Sequence, residues 1–252
     1  MSLIPLGILA ASKVSSGPPS FLTSAPLWLD AADASTITES SGSVSEWGNK
    51  GTLENFTQAV EALQPLTGSA TINSLNAIQF NADSITGSTA SNWTFLNNGD
   101  NYFYAMVLRT PSGKFLDFTT AGSSASVGVQ WLLGNEETYL RIFRGVSGSF
   151  LRVDLGSGAV GTTTTIYSGL NNPDSATVSE RAQLAINDGT PSTNAVDVLP
   201  STSDPSIPLG IGFNDSRVLA DLGEVIIVSG ANATESNRQK VLDYLNAKWS
   251  VF

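Results

Sequence analysis

The chain has 252 residues, a hydrophobic fraction of 41%, a charged fraction of only 13% and a formal net charge of −10, from 12 basic against 22 acidic residues. It contains no cysteine and no histidine, which excludes disulfides, zinc-thiolate centres, thiol nucleophiles and the histidine base of a Ser-His-Asp triad. The acidic balance also opposes binding to nucleic acid or an anionic membrane, because phosphate recognition needs clustered Lys and Arg.

Residues 1–25 differ from the rest. Leu3-Ile4-Pro5-Leu6-Gly7-Ile8-Leu9-Ala10-Ala11 is a short apolar run, followed by a Ser/Gly/Pro segment through Pro18-Pro19. No Lys or Arg precedes the run and Pro5 interrupts it, which counts against a cleaved secretory leader. It is also too short to cross a bilayer. The preferred reading is an extended arm that docks on another subunit through Leu3, Ile4, Leu6, Ile8 and Leu9. An ordinary N-terminal strand or tail is the alternative.

One folded domain is expected from residue 26 to 252. Pro26 to Asp33 opens it, with Trp28 as a core residue, and Gly42 to Gly51 reads as a strand ending in a turn. Leu75-Asn76-Ala77-Ile78-Gln79-Phe80 alternates as a half-buried strand, and Tyr102 to Leu108 is apolar enough for a central one. Further strands are expected at 114–118, 127–133, 139–143, 150–155, 162–167, 181–186 and 209–213, with Gly, Asn, Asp or Pro between them. Arg141, Arg144 and Arg152 form the one loose basic cluster, and read as solvent-facing strand positions. Leu222-Gly223-Glu224-Val225-Ile226-Ile227-Val228 is a β-branched buried strand. After Gly230 and Asn232, Thr234 suits an N-cap, with Glu235 at the positive end of the helix dipole. Val241, Leu242, Leu245 and Trp249 then recur at helical spacing, while Arg238, Lys240, Asp243 and Lys248 are expected on the opposite face. Short strands at regular spacing, closed by one helix, indicate an antiparallel two-sheet jelly-roll sandwich with a C-terminal helical latch.

Two segments resemble concanavalin A-like, laminin-G-type jelly rolls of the kind found in tailed-phage structural proteins. The first is Leu27-Trp28-Leu29-Asp30-Ala31-Ala32-Asp33 with Ser45-Glu46-Trp47-Gly48-Asn49-Lys50, Thr57-Gln58-Ala59 and Leu75 to Phe80. The second is Asp221 to Ile227 with Arg238 to Trp249. They bracket the domain, and 85–205 carries no matching motif. Ile4 to Ser12 also looks like the start of many tailed-phage structural proteins.

The search for chemistry finds little. Glycoside hydrolysis needs two carboxylates across a cleft. Adjacent Glu136-Glu137 point to opposite faces of a strand, and Asp221 and Glu224 diverge in the same way. Glu224 matches a family position that reads as structural. Calcium is the ion the resemblance implies, and Asn97, Asn98 and Asp100 form the densest set of oxygen ligands; the competing reading of that loop is a plain hairpin turn. Asn187-Asp188-Gly189 also reads as a turn. For a sugar, Trp93 and Trp131 are the candidate aromatic platforms, against burial in the core; Trp47 and Trp249 read as packing.

The resulting expectation is a non-enzymatic virion structural protein of a tailed phage. It would display a lectin-like jelly roll on the particle surface, as a capsid decoration, fibre or receptor-contact module. Its partners would be other virion proteins through the arm and host-surface glycan, with no nucleic acid and no membrane insertion, and it would form a homo-oligomer such as a trimer. The alternative is a secreted bacterial carbohydrate-binding module of the same fold, in an extracellular setting.

Overall fold

The computed structural model describes residues 17–135, 137–145, 150–155, 162–194, 200–212, 215 and 217–252. The expected anchor residues Leu3, Ile4, Leu6, Ile8 and Leu9 lie outside them. Of the expected arm, Ser20–Ser24 is a 3-10 helix that inserts Leu22, fully buried, into the folded body.

Nearly all regular structure is antiparallel strand. The first half contains β1 Leu27–Asp30, β2 Ile37–Ser40, β3 Ser43–Trp47, β4 Phe56–Thr57, β5 Leu66–Ile72, β6 Leu75–Asn81, β7 Ser84–Thr86 and β8 Tyr102–Arg109. The second half contains β9 Phe115–Thr119, β10 Val127–Gly134, β11 Tyr139–Arg144, β12 Phe150–Asp154, β13 Thr165–Asn171, β14 Gln183–Ile186, β15 Ser192–Thr193, β16 Gly210–Gly212 and β17 Leu219–Ser229. A helical turn, α1 Val178–Arg181, and the long α2 Glu235–Trp249 complete it.

The strands form two stacked sheets. In the inner sheet β17 pairs with β1, β6 and β8, and β8 continues to β13 and β14. The outer sheet runs β3, β4, β7, β16, β9, β10, β11, β12. β5 joins the two by pairing with both β3 and β6. This is the expected jelly-roll sandwich. Alternation along β8 shows the layering: Tyr102, Tyr104, Met106 and Leu108 enter the core between the sheets, while Phe103, Ala105 and Val107 enter a second core beneath α2.

That second core exists because α2 presents Val241, Leu242, Leu245 and Trp249 to the inner sheet, all fully buried. Burying each such side chain contributes about 1.5–3 kcal/mol. Thr234 caps the helix by accepting from the Asn237 backbone N–H at 3.2 Å, and Ser250, in the left-handed region at φ 50°, ends it.

The latch is pinned by a buried carboxylate. Glu224 is fully buried on β17. Its Oε1 accepts from Trp28 Nε1 at 2.8 Å and Tyr244 Oη at 2.9 Å. Its Oε2 accepts from Trp249 Nε1 and Lys248 Nζ, each at 2.8 Å. Lys248 Nζ also donates to Asp30 Oδ1 at 2.6 Å, and Lys50 bridges Asp30 and Asp33. Burial, then the charge of Asp30, pushes the Glu224 carboxyl above its usual range, and Lys248 and Trp249 oppose that. Lys50 holds the Asp33 carboxyl down to about 2. Gly223 belongs to the same device: a Cβ there would lie 3.0 Å from the Trp249 ring.

Several element expectations need correction. Arg238 and Lys248 do not take the solvent face of α2. Arg238 is buried, donating to Ser168 Oγ and pairing with Glu235, and Lys248 reaches Glu224; long aliphatic stems let both cross apolar surface to a polar partner. Arg181 lies in α1, so that strand begins at Gln183. β13 begins at Thr165, and β2, β5, β7 and β15 are strands where none is expected. Asn97 to Asn101 is no hairpin, because it links the 3-10 helix Ala90–Leu96 to β8. Asn187 to Gly189 is a turn, closed by Gly189 N–H to Ile186 O.

Replacing Glu224 with Ala orphans two indoles and a phenol and leaves the Lys248 ammonium with Asp30 as its remaining carboxylate. The variant is expected to lose about 3–5 kcal/mol of unfolding free energy, the cost of breaking a buried ion pair from one side. Urea unfolding measures this; a loss below about 1 kcal/mol, the size of an exposed pair, would show that the network does not hold the latch.

Candidate functional site

The inner sheet's far face is covered by α2, so the sheet face left open is the outer one. Its residues follow from register. Thr57 stands opposite Thr86, Thr86 opposite Gly210, and Gly210 opposite Thr119. Thr119 stands opposite Gln130, Gln130 opposite Arg141, and Arg141 opposite Arg152. Directly paired residues share a face, so these side chains form one polar row across seven strands. Their chain neighbours Ile85, Ile211, Phe118, Val129, Leu140 and Leu151 point into the core.

Two cavities lie along this row and share Thr119. One, of about 270 Å³, is lined by Ser84, Thr86, Thr119, Ile207, Pro208 and Gly210. The other, of about 240 Å³, is lined by Asp117, Gly122, Ser123, Gln130 and Arg141 as well as Thr119. Gly210 forms the floor. Its backbone makes no demand for glycine, and an added Cβ would meet nothing closer than 3.9 Å; the missing side chain leaves the trough open. Thr119 Oγ1 accepts from Ala121 N–H at 3.1 Å, and Gly122 N–H donates to Ser206 Oγ at 2.8 Å, which ties the wall loops to the floor.

The chemistry concentrates at the β9–β11 end. Asp117 is buried, with Oδ2 accepting from Gln130 Nε2 at 3.2 Å and Oδ1 lacking a protein partner. Burial pushes its carboxyl up to about 7, against the Gln130 hydrogen bond and the Arg141 charge. The Arg141 guanidinium lies 4.0 Å from the Tyr139 ring centroid and 5.2 Å from that of Phe150. Arg152 lies 4.4 Å from the Tyr139 centroid and grips Asp154 through two hydrogen bonds of 2.6 and 2.7 Å. A carboxyl, a guanidinium, a carboxamide and hydroxyls thus share one face, with the Tyr139 ring buried beneath the two guanidinium groups. Such a set can hydrogen-bond a polyol.

The sequence-derived site residues fall elsewhere. Trp93 and Trp131 are both fully buried, so neither offers a stacking platform. Trp131 sits between Phe118 and Leu140 in register, which places it on the core side, edge-on to Tyr104. Trp93 follows the three-residue period of its 3-10 helix, turning inward with Leu96 while Ser91, Asn92 and Thr94 stay outside. Its Nε1 donates to Glu54 Oε1 at 3.2 Å.

Nor do Asn97, Asn98 and Asp100 converge on a cation. Asn97 is buried and donates to the Ser201 and Ser203 carbonyls, while Asn98 Nδ2 donates to Asp100 Oδ2 at 3.1 Å. Among the described residues no group of three or more Asp or Glu is placed to hold a metal ion. Asp221 pairs with Arg109 at 2.6 Å, and Glu136 lies outside the described residues. Arg141 and Arg152 were legible as outward strand positions, but not as neighbours of Asp117 and Gly210. The alternation of Phe115 to Thr119 and Tyr139 to Arg144 was the available signal.

No family model matches the chain, and no curated protein sequence is similar to it. Solved structures do share the fold. The botulinum neurotoxin serotype D binding domain superposes with a TM-score of 0.53 at 10% identity, over 88% of this chain and 51% of that one. A Trypanosoma rangeli sialidase in complex with 2,3-difluorosialic acid gives 0.50 at 12%, over 87% and 33%. An arabinofuranosidase complexed with arabinofuranosyl-α-1,2-xylobiose gives 0.50 at 12%, over 90% and 60%. The chain therefore spans about half the length of the first and less than two thirds of the others. These likenesses establish the jelly-roll architecture.

The raised Asp117 carboxyl has a consequence for stability. An acid whose folded-state pKa exceeds its unfolded value of 3.8 costs nothing while both states are protonated. The penalty grows as pH rises from about 4 and is complete above about 7. At about 1.4 kcal/mol per unit it reaches at most a few kcal/mol. Asp117→Asn is expected to melt higher than the parent at pH 8.5, with the gap closing toward pH 4.5. Parallel melting curves across that range would show that Asp117 is solvated and ionised.

Proposed function

We propose that this chain is a non-catalytic carbohydrate-binding jelly roll whose ligand lies along the polar row of the outer sheet. The observation that carries this reading is the trough over Gly210 and Thr119, lined by hydrogen-bonding groups beside the apolar Ile207 and Pro208. A sugar is recognised by such a mixture of polar groups and apolar surface. Two of the fold's structural neighbours hold sugar ligands or analogues, in keeping with the reading. The absence of catalysis is inferred from how the carboxylates of this face are engaged. Asp154 is held by Arg152, and Asp117 lies beside the row, two residues from Thr119 on the same face of β9, rather than across a cleft from a second acid.

The finer proposal is display on a tailed-phage particle, with the N-terminal arm as anchor. The layering supports it: Leu22 and Ala25 pack in the core beneath α2, so the described chain enters on the side opposite the trough. The secreted-module alternative needs only the trough.

A broad glycan panel, read by calorimetry, tests the central reading. At least one oligosaccharide is expected to bind the parent, and Gly210→Trp, which fills the trough floor, is expected to abolish binding while leaving the melting temperature within a few degrees. Binding unaffected by that substitution would move the site elsewhere, and a flat panel would remove the reading. Mass spectrometry of purified phage particles separates the two settings; particles lacking the chain would rule out display.

A further inference from the structure

We infer that the trough takes a sugar bearing a carboxylate, seated on the Arg141 guanidinium. This rests on the glycan-binding reading of the same face and narrows its substrate class.

Among the other arginines, Arg109 pairs with Asp221, Arg152 with Asp154, Arg217 with Asp215 and Arg238 with Glu235, while Arg144 donates to the Pro200 carbonyl and Arg181 to that of Ser175. In a chain with 22 acidic residues, Arg141 has no carboxylate partner among the described residues, although it borders a cavity. Its Nε is buried with no hydrogen-bond acceptor. Contact with the Tyr139 and Phe150 rings fixes the plane of the guanidinium without using its donors. Nε is buried and turned away from a ligand, but Nη1 and Nη2 make no hydrogen bond among the described residues, and a planar fork held in place with those two outer donors unspent can grip a carboxylate through two parallel hydrogen bonds. Around it, Gln130 and Ser123 supply neutral groups suited to sugar hydroxyls.

Asp117 lines the same cavity and sets a condition. A neutral Asp117 tolerates a ligand anion beside it and its unpartnered Oδ1 is free for a hydroxyl; an ionised one repels the anion. The charged and titratable groups around it are Arg141 and Tyr139 on β11, with Arg152 and Asp154 on β12, Glu137 ahead of β11, and the Arg217–Asp215 pair beside Phe115. Of these, Arg141 is the one that acts on it directly. Burial holds its carboxyl up to about 7, so affinity for an acidic sugar is expected to rise several-fold from pH 8.5 to 5.5, and to stay level in Asp117→Asn.

The test compares sugars that differ in one carboxylate. The pairs are 3′-sialyllactose against lactose, and trigalacturonate against its carboxyl-reduced form, titrated into the full chain by calorimetry. The acid of at least one pair is expected to bind, with its neutral counterpart about tenfold weaker or more, the 1.4 kcal/mol scale of a charge-assisted bond. Arg141→Gln is expected to erase that difference, whereas Lys240→Gln, an equal change of charge on exposed α2, should preserve it. Equal binding within both pairs, or a difference that survives Arg141→Gln, overturns this inference while leaving the glycan reading in place. Failure of every acidic and neutral sugar, including a broad neutral panel, overturns both. The comparison on the parent chain stands even if Arg141→Gln does not fold.

Discussion

The structure depends on one buried carboxylate. Glu224 sits on the central strand of the inner sheet with four donors arranged around two oxygens, drawn from β1, from α2 and from its last turn. A carboxylate removed from water costs several kcal/mol unless its lone pairs are met. Here they are met, and only by residues that the fold brings from opposite ends of the chain. The first strand and the last helix are thereby tied to one point, and Gly223 leaves the space that lets the Trp249 ring approach.

Everything on the functional side follows from that closure. With α2 sealed onto the inner sheet, the second core is complete and the outer sheet is left with an open face. Antiparallel sheets commonly alternate inward apolar and outward polar residues; on this face Gln130 and Arg141 stand outward beside the buried Leu132, Tyr139 and Phe143. What distinguishes this one is its content: a glycine with room above it, a carboxyl held near neutrality by burial, and an arginine stacked on tyrosine without a carboxylate partner among the described residues. Packing alone requires none of these.

The sequence revealed the architecture better than the site, and the reason is distance along the chain. Tyr102 to Leu108, Val127 to Leu133 and the helix from Glu235 to Trp249 carry their own periodicity, so local pattern sufficed. Trp28, Glu224 and Trp249 were legible as packing positions. The faces of Arg238 and Lys248 were misread because periodicity weighs charge as exposure, whereas a long stem can carry a charge to a buried partner. For Trp93 and Trp131 burial in the core, the competing expectation, holds; the polar flanks Ser91, Asn92 and Thr94 do not show which way a turn directs the Trp93 side chain between them. The trough was not legible at all. It exists only through the register that sets Thr86, Gly210 and Thr119 side by side, from strands far apart in sequence.

We propose the outer sheet, rather than the helix face or the loop ends, as the recognition surface. Amide chemical-shift mapping with a bound oligosaccharide tests it most directly. The largest shifts are expected at Thr86, Thr119, Gln130, Arg141 and Gly210, with α2 silent. Shifts concentrated instead at the loop-end cavity of Asp100, Asn101, Asn172 and Asp174, with the outer sheet unmoved, would contradict it.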